Sequence, residues 1–115
     1  MSGERIGRGE IDTLLVLSTD PNPYVRGGAV KRLCPCHIRA HDARVWDRLI
    51  AMTDDPNVYV RAQILHALAD GSPHEREAEV VAAIEGMWHD PDPHLRRRVR
   101  RLLAEYRRGG RINVL

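Results

Sequence analysis

The chain has 115 residues, 43% hydrophobic and 30% charged, with two cysteines and a formal net charge of +2 at neutral pH. That is an ordinary single-domain length with enough apolar content for a core, which excludes a disordered chain. No run of about 18 apolar residues occurs, and Met1-Ser-Gly-Glu-Arg-Ile-Gly-Arg8 lacks an apolar stretch, so neither membrane insertion nor secretion is expected and a cytoplasmic location follows.

Residues 1–8 are expected to be a flexible N-terminus. The first periodic segment holds Ile11, Leu14, Leu15 and Leu17, the pattern of an amphipathic helix. The phrase Asp20-Pro-Asn-Pro-Tyr-Val-Arg26 follows, and from it Val25, Ala29 and Leu33 recur at i, i+4 and i+8, marking a second helix. Both halves then return. Trp46, Leu49, Ile50 and Met52 precede Asp55-Pro-Asn-Val-Tyr-Val-Arg61, which leads into Val60, Ile64 and Leu68. Val81, Ile84 and Met87 precede Asp90-Pro-Asp-Pro-His-Leu-Arg96, which leads into Leu95, Val99 and Leu103. The phrases stand 35 residues apart, since 55 − 20 equals 90 − 55, and a fixed period in that range marks stacked supersecondary units.

Within each phrase Asp-Pro reads as a helix start: the Asp side chain can cap free backbone N–H groups, and proline tolerates the first turn. Cys34-Pro-Cys36-His37 through His41 separates the first pair of helices from the second, and Asp70-Gly-Ser-Pro73 the second from the third. Gly109-Gly110 ends the last helix. The expected fold is all-α, a short α-solenoid of three helical hairpins over about 9–36, 42–70 and 74–108. Arg100 stands where the earlier units have Val30 and Leu65, as suits a terminal unit, and the tail 109–115 is apolar enough to fold over the open end or to dock another protein.

An apolar helix, then Asp-Pro-x-x-x-Val-Arg, then Ala or Ile four residues past the Val, resembles the HEAT-repeat family, including its short lyase-type bacterial members, over roughly residues 9–108. The resemblance implies second helices along a concave face. It also implies a ladder in which Asp20, Asp55 and Asp90 with Arg26, Arg61 and Arg96 tie neighbouring repeats together. By the same resemblance the chain is a non-catalytic scaffold or adaptor for a protein partner. HEAT-type iron hydroxylases need several His-Glu pairs, whereas this chain has His74-Glu75 alone, and no Gly-rich phosphate loop or Gly-x-Ser-x-Gly elbow occurs.

Charge is segregated. Residues 1–92 carry 10 Lys/Arg against 15 Asp/Glu, or −5, and residues 93–115 carry 8 against 1, or +7. Such a dipole can attract an anionic partner or the acidic end of a second copy, so end-to-end association is one expectation. Side chains seven apart on a helix share a face, so the second helices should present Tyr24, Gly28 and Lys31, then Tyr59, Gln63 and His66, then His94, Arg98 and Arg101. Arg97 and Arg108 add charge at the basic end. Two readings stay open: a solvated surface, or an anion-binding groove with tyrosines for contact and bases for carboxylate or phosphate. For the groove a protein partner leads; the alternative is a nucleic-acid backbone, as in HEAT-like DNA glycosylases, which the acidic first 92 residues oppose. Gly27-Gly28 inside a helix costs roughly 1 kcal/mol per glycine, so a neighbouring helix or a bound partner should approach closely there.

Cys34, Cys36, His37 and His41 fall within eight residues, and thiolate with imidazole is the ligand set zinc prefers. Cys-x-Cys-His with a proline between the thiols lacks the turn of a Cys-x-x-Cys knuckle, and a bridge between i and i+2 would be strained. Cys34 aligns with Ala69 and Ala104, so a small buried apolar residue also explains it. A structural thiol, a zinc ligand and a redox sensor all stay open, and a metal-binding or thiol-bearing adaptor is the third functional class. No other cofactor is expected.

Overall fold

The computed structural model describes residues 8–34 and 42–109. They form six α-helices: α1 Arg8–Leu17, α2 Pro23–Leu33, α3 Ala43–Ala51, α4 Val58–Asp70, α5 Glu77–Glu85 and α6 Pro93–Gly109, with one 3-10 turn at His74–Arg76 before α5. Three antiparallel hairpins result, as the period predicts. The expected flexible N-terminus up to Gly7, the connector residues Cys36, His37 and His41, and the tail from Gly110 lie outside the described residues; α1 already begins at Arg8.

Each second helix begins at Pro23, Val58 or Pro93, three positions past the Asp that was expected to cap it. The Asp instead closes a turn: Asp20 Oδ1 accepts from Asn22 N at 2.8 Å, Asp55 Oδ1 from Asn57 N at 2.9 Å and Asp90 Oδ1 from Asp92 N at 2.9 Å. The cap falls to the next polar side chain. Asn22 accepts from Tyr24 N at 2.9 Å, Asn57 from Tyr59 N at 2.8 Å and Asp92 from Leu95 N at 2.9 Å. A residue before proline is held out of the helical region, which keeps Asn22 extended, and proline is pre-set for the first helical position. Val58 starts α4 at the same point without proline, so the Asn cap suffices; removing such a cap costs about 1 kcal/mol.

One apolar cluster runs through all three hairpins. Ile11 and Leu14 of α1, Trp46 and Leu49 of α3, and Val81 and Ile84 of α5 meet the stripes Ala29/Leu33, Val60/Ile64/Leu68 and Leu95/Val99/Leu103. Helix α4 is its centre: it touches α2, α3, α5 and α6, and Val60, Ile64, Leu65, Ala67 and Leu68 are fully buried. Leu17 departs from its counterparts, being exposed while Met52 and Met87 are buried.

Helices α2 and α4 pack closely at Gly27. The Tyr59 ring lies directly over Gly27, where an added methyl would overlap Tyr59 Cε2 and Cδ2, whereas a methyl on Gly28 would meet nothing within 4 Å. A neighbouring helix therefore accounts for Gly27. Gly28 has no such reason.

Two arginine forks bind the hairpins laterally. Arg26 donates from Nε to Asp55 Oδ2 and from Nη2 to Asp55 Oδ1, both at 2.9 Å. Arg61 repeats this on Asp90 at 2.8 and 3.2 Å. The remaining Nη1 reaches back to the start of the arginine's own phrase, to Asp20 O at 2.9 Å from Arg26, Asp55 O at 2.9 Å from Arg61 and Asp90 O at 2.8 Å from Arg96. Each guanidinium thus closes one turn while Arg26 and Arg61 also clamp the next, a geometry that lysine cannot reproduce. Burial pushes the Asp55 carboxyl up, but the hydrogen bonds from Arg26 and from Asn57 N and the charges of Arg26 and Arg61 outweigh it and hold it below the ordinary range. Arg26 is raised, chiefly by its hydrogen bonds to Asp55.

Candidate interaction face

Helices α2, α4 and α6 carry the residues expected to contact a partner, and none of these lies in the core. Tyr24 is 73% exposed, and its ring stacks obliquely on Tyr59, with centroids 5.7 Å apart and planes inclined by 39°. Tyr59 is half-buried because it leans over Gly27. The two tyrosines therefore form one aromatic ridge across the first two hairpins. Lys31, His66 and Arg101 are exposed and Gln63 is half-buried, so the rows read from the period do face outward. In the third hairpin His94 is exposed, and its Nδ1 lies 2.9 Å from Arg97 Nη2.

Electrostatic pairing differs sharply along the molecule. Before α6, Arg26, Arg32, Arg44, Arg61 and Arg76 each meet a carboxylate: Asp55, Glu10, Asp12 with Asp42, Asp90, and Asp47 with Glu79 respectively. Arg48 instead binds the hydroxyl and carbonyl of Ser18 at 2.9 and 3.0 Å. Helix α6 holds seven arginines and one glutamate, and among the described residues none of the seven forms a salt bridge. Arg97, Arg98, Arg101 and Arg108 are exposed. Among the described residues, no salt bridge offsets their charge.

Trp88 was not singled out from the sequence. Its ring is half-buried under two guanidinium groups, Arg100 at 4.7 Å and Arg107 at 5.5 Å from the centroid, and Arg100 Nε donates to Trp88 O at 3.1 Å. Arg100, expected to mark a terminal unit, thus turns back over the turn that follows α5. Its position in the period was legible, but the partner was not, because the reach of a long side chain leaves no pattern.

Of the proposed thiol and imidazole cluster, only Cys34 is described. It is buried at the end of α2, with Sγ 3.5 Å from Asp70 Oδ2, and the ligand atoms of Cys34, His66 and Asp70 all lie within 4.8 Å of one another. Asp70 was missed in the sequence, although His66 and Asp70 are four apart on α4 and so share a face. His74 and Glu75 are exposed in the 3-10 turn, as first-turn residues are. A cleft of about 400 Å³ opens beside the second ladder rung, lined by Asp54, Pro56, His89 and Pro91 among others, but its Arg61 and Asp90 are engaged with one another. No helix among the described residues is long and apolar enough to cross a membrane.

Stacked hairpins joined by a lateral Asp–Arg ladder define an α-solenoid. The model of the HEAT-repeat family matches residues 11–104, and the chain belongs to that family, whose members generally serve as protein-interaction scaffolds and are typically non-catalytic. No curated protein and no solved structure matches the chain.

Proposed function

We propose that the chain is a non-catalytic scaffold that binds an acidic protein partner across α2, α4 and α6. One observation carries this reading: among the described residues, five arginines before α6 are matched to carboxylates, whereas the seven of α6 are matched to none. Clustered like charges oppose one another, so an acidic surface laid on α6 would relieve that repulsion as well as add attraction. The Tyr24/Tyr59 ridge supplies the other half of a protein interface, rigid aromatic area at low entropic cost. A long nucleic acid would have to pass residues 1–92, whose 10 bases against 15 acids leave −5.

The test is affinity capture from native lysate with crosslinking, comparing the wild-type chain with Arg98→Glu/Arg101→Glu and with Tyr24→Ala. A partner held by the wild type and lost on the charge reversal supports the proposal. Capture that the reversal leaves intact removes it, and so does a gel shift with duplex or single-stranded nucleic acid that weakens steeply with salt.

A further inference from the structure

We propose that Cys34, His66 and Asp70 form a zinc site at the junction of the first two hairpins, independent of the partner-binding reading. The ligand chemistry is complete for a site with three protein ligands: a thiol, an imidazole and a carboxylate, with all ligand atoms within 4.8 Å of one another. Zinc with a Zn–S bond of about 2.3 Å and Zn–N or Zn–O bonds near 2.0 Å needs tetrahedral ligand separations of about 3.5 Å. The Cys34 Sγ to Asp70 Oδ2 separation is already 3.5 Å. His66 is exposed, so rotation of its side chain can close the rest without moving backbone.

Helix geometry supplies the register. His66 and Asp70 lie one turn apart on α4 and project to the same side, facing the end of α2 where Cys34 sits 1% exposed. The cluster is a departure from the repeat. One period on, the equivalent positions hold Ala69, Arg101 and Glu105, a set with neither thiol nor imidazole. The other two units place a half-buried alanine, Ala69 or Ala104, where Cys34 is 1% exposed, so the period itself does not call for a thiol there. A zinc ion there would cross-link α2 to α4, with water at the fourth position and the buried thiolate on one side. Coordination releases the thiol proton to solvent, so affinity falls as pH drops.

The experiment titrates the purified, reduced full-length chain with zinc and, as a spectroscopic probe, with cobalt(II) at neutral pH. The expected result is one ion per chain and a thiolate-to-cobalt charge-transfer band that Cys34→Ala abolishes. His66→Ala and Asp70→Asn should each weaken zinc binding by about tenfold or more and reduce the rise in Tm that zinc produces in the wild type. These variants keep the fold testable, since alanine already stands at the Cys34 position in the other repeats and His66 is exposed. Less than stoichiometric zinc at saturation overturns the proposal. So does wild-type binding that His66→Ala and Asp70→Asn leave unchanged but Cys36→Ser abolishes, which would put the ligands in the connector.

Discussion

The Arg61 guanidinium and the Asp90 carboxylate, 29 residues apart in sequence, meet through two hydrogen bonds, and both residues are less than a tenth exposed. The rung therefore lies inside the stack, where an ion cannot fall back on water. Removing one partner of a buried pair leaves the other charge stranded, which costs about 3–5 kcal/mol. Asp90→Ala should lower the unfolding free energy from urea denaturation by that amount or prevent folding, since Asp90 also closes the turn through Asp92 N. Glu10→Ala breaks the Arg32–Glu10 pair, whose side chains are 57% and 44% exposed, and should cost less than about 1 kcal/mol. Equal losses at the two pairs would contradict the ladder's structural role.

Acid should weaken the first rung in a defined sense. The Asp55 carboxyl titrates below its ordinary value of 3.8 in the folded chain, so between the two values the unfolded state binds more protons and stability rises with pH. The contribution is fully present above 3.8 and is lost as pH falls through the lower folded value. Urea unfolding as a function of pH should show Asp55→Asn less stable than wild type at neutral pH, with the gap narrowing below pH 3.8. A gap that does not depend on pH would mean that the carboxylate's charge is immaterial.

Adjacent glycines should respond in opposite directions. Gly28→Ala meets nothing within 4 Å and should stabilise by about 0.5–1 kcal/mol through helix propensity alone. Gly27→Ala must displace the Tyr59 ring, and overpacking of roughly 1–3 kcal/mol outweighs the same propensity gain. Thermal unfolding of the two variants decides it, with Tm raised for the first and lowered for the second.

Charge reversal on α6 should separate binding from folding. Arg98 and Arg101 are exposed and make no salt bridge among the described residues, so Arg98→Glu and Arg101→Glu should each change stability by no more than about 0.5 kcal/mol. The same variants should lose the captured partner. A large drop in Tm would instead assign these arginines a structural role.

Much of the fold was readable before any coordinates. Apolar residues spaced four apart identify a helix face, and the triplicated phrase fixes where each hairpin turns, because both signals are local and repeat with the chain. The family resemblance implied the ladder, and its spacing fits a stack in which residues roughly one repeat apart become neighbours: Arg26–Asp55, Arg61–Asp90 and Arg48–Ser18 are separated by 29, 29 and 30 positions. The outward rows from Tyr24 to Arg101 followed from the same geometry.

Other features depended on side-chain direction in three dimensions. Asp20 and Asn22 both can cap a helix; the turn that Asp20 closes leaves the cap to Asn22, as it does to Asn57 where no proline follows. Tyr59 over Gly27, Arg100 and Arg107 over Trp88, and Asp70 beside Cys34 leave no mark in spacing. Periodicity specifies where a Cα lies on its helix and which helix comes next. The last few ångströms between side-chain tips, where charges pair and ligands assemble, are set by how the helices pack and which rotamers that packing permits.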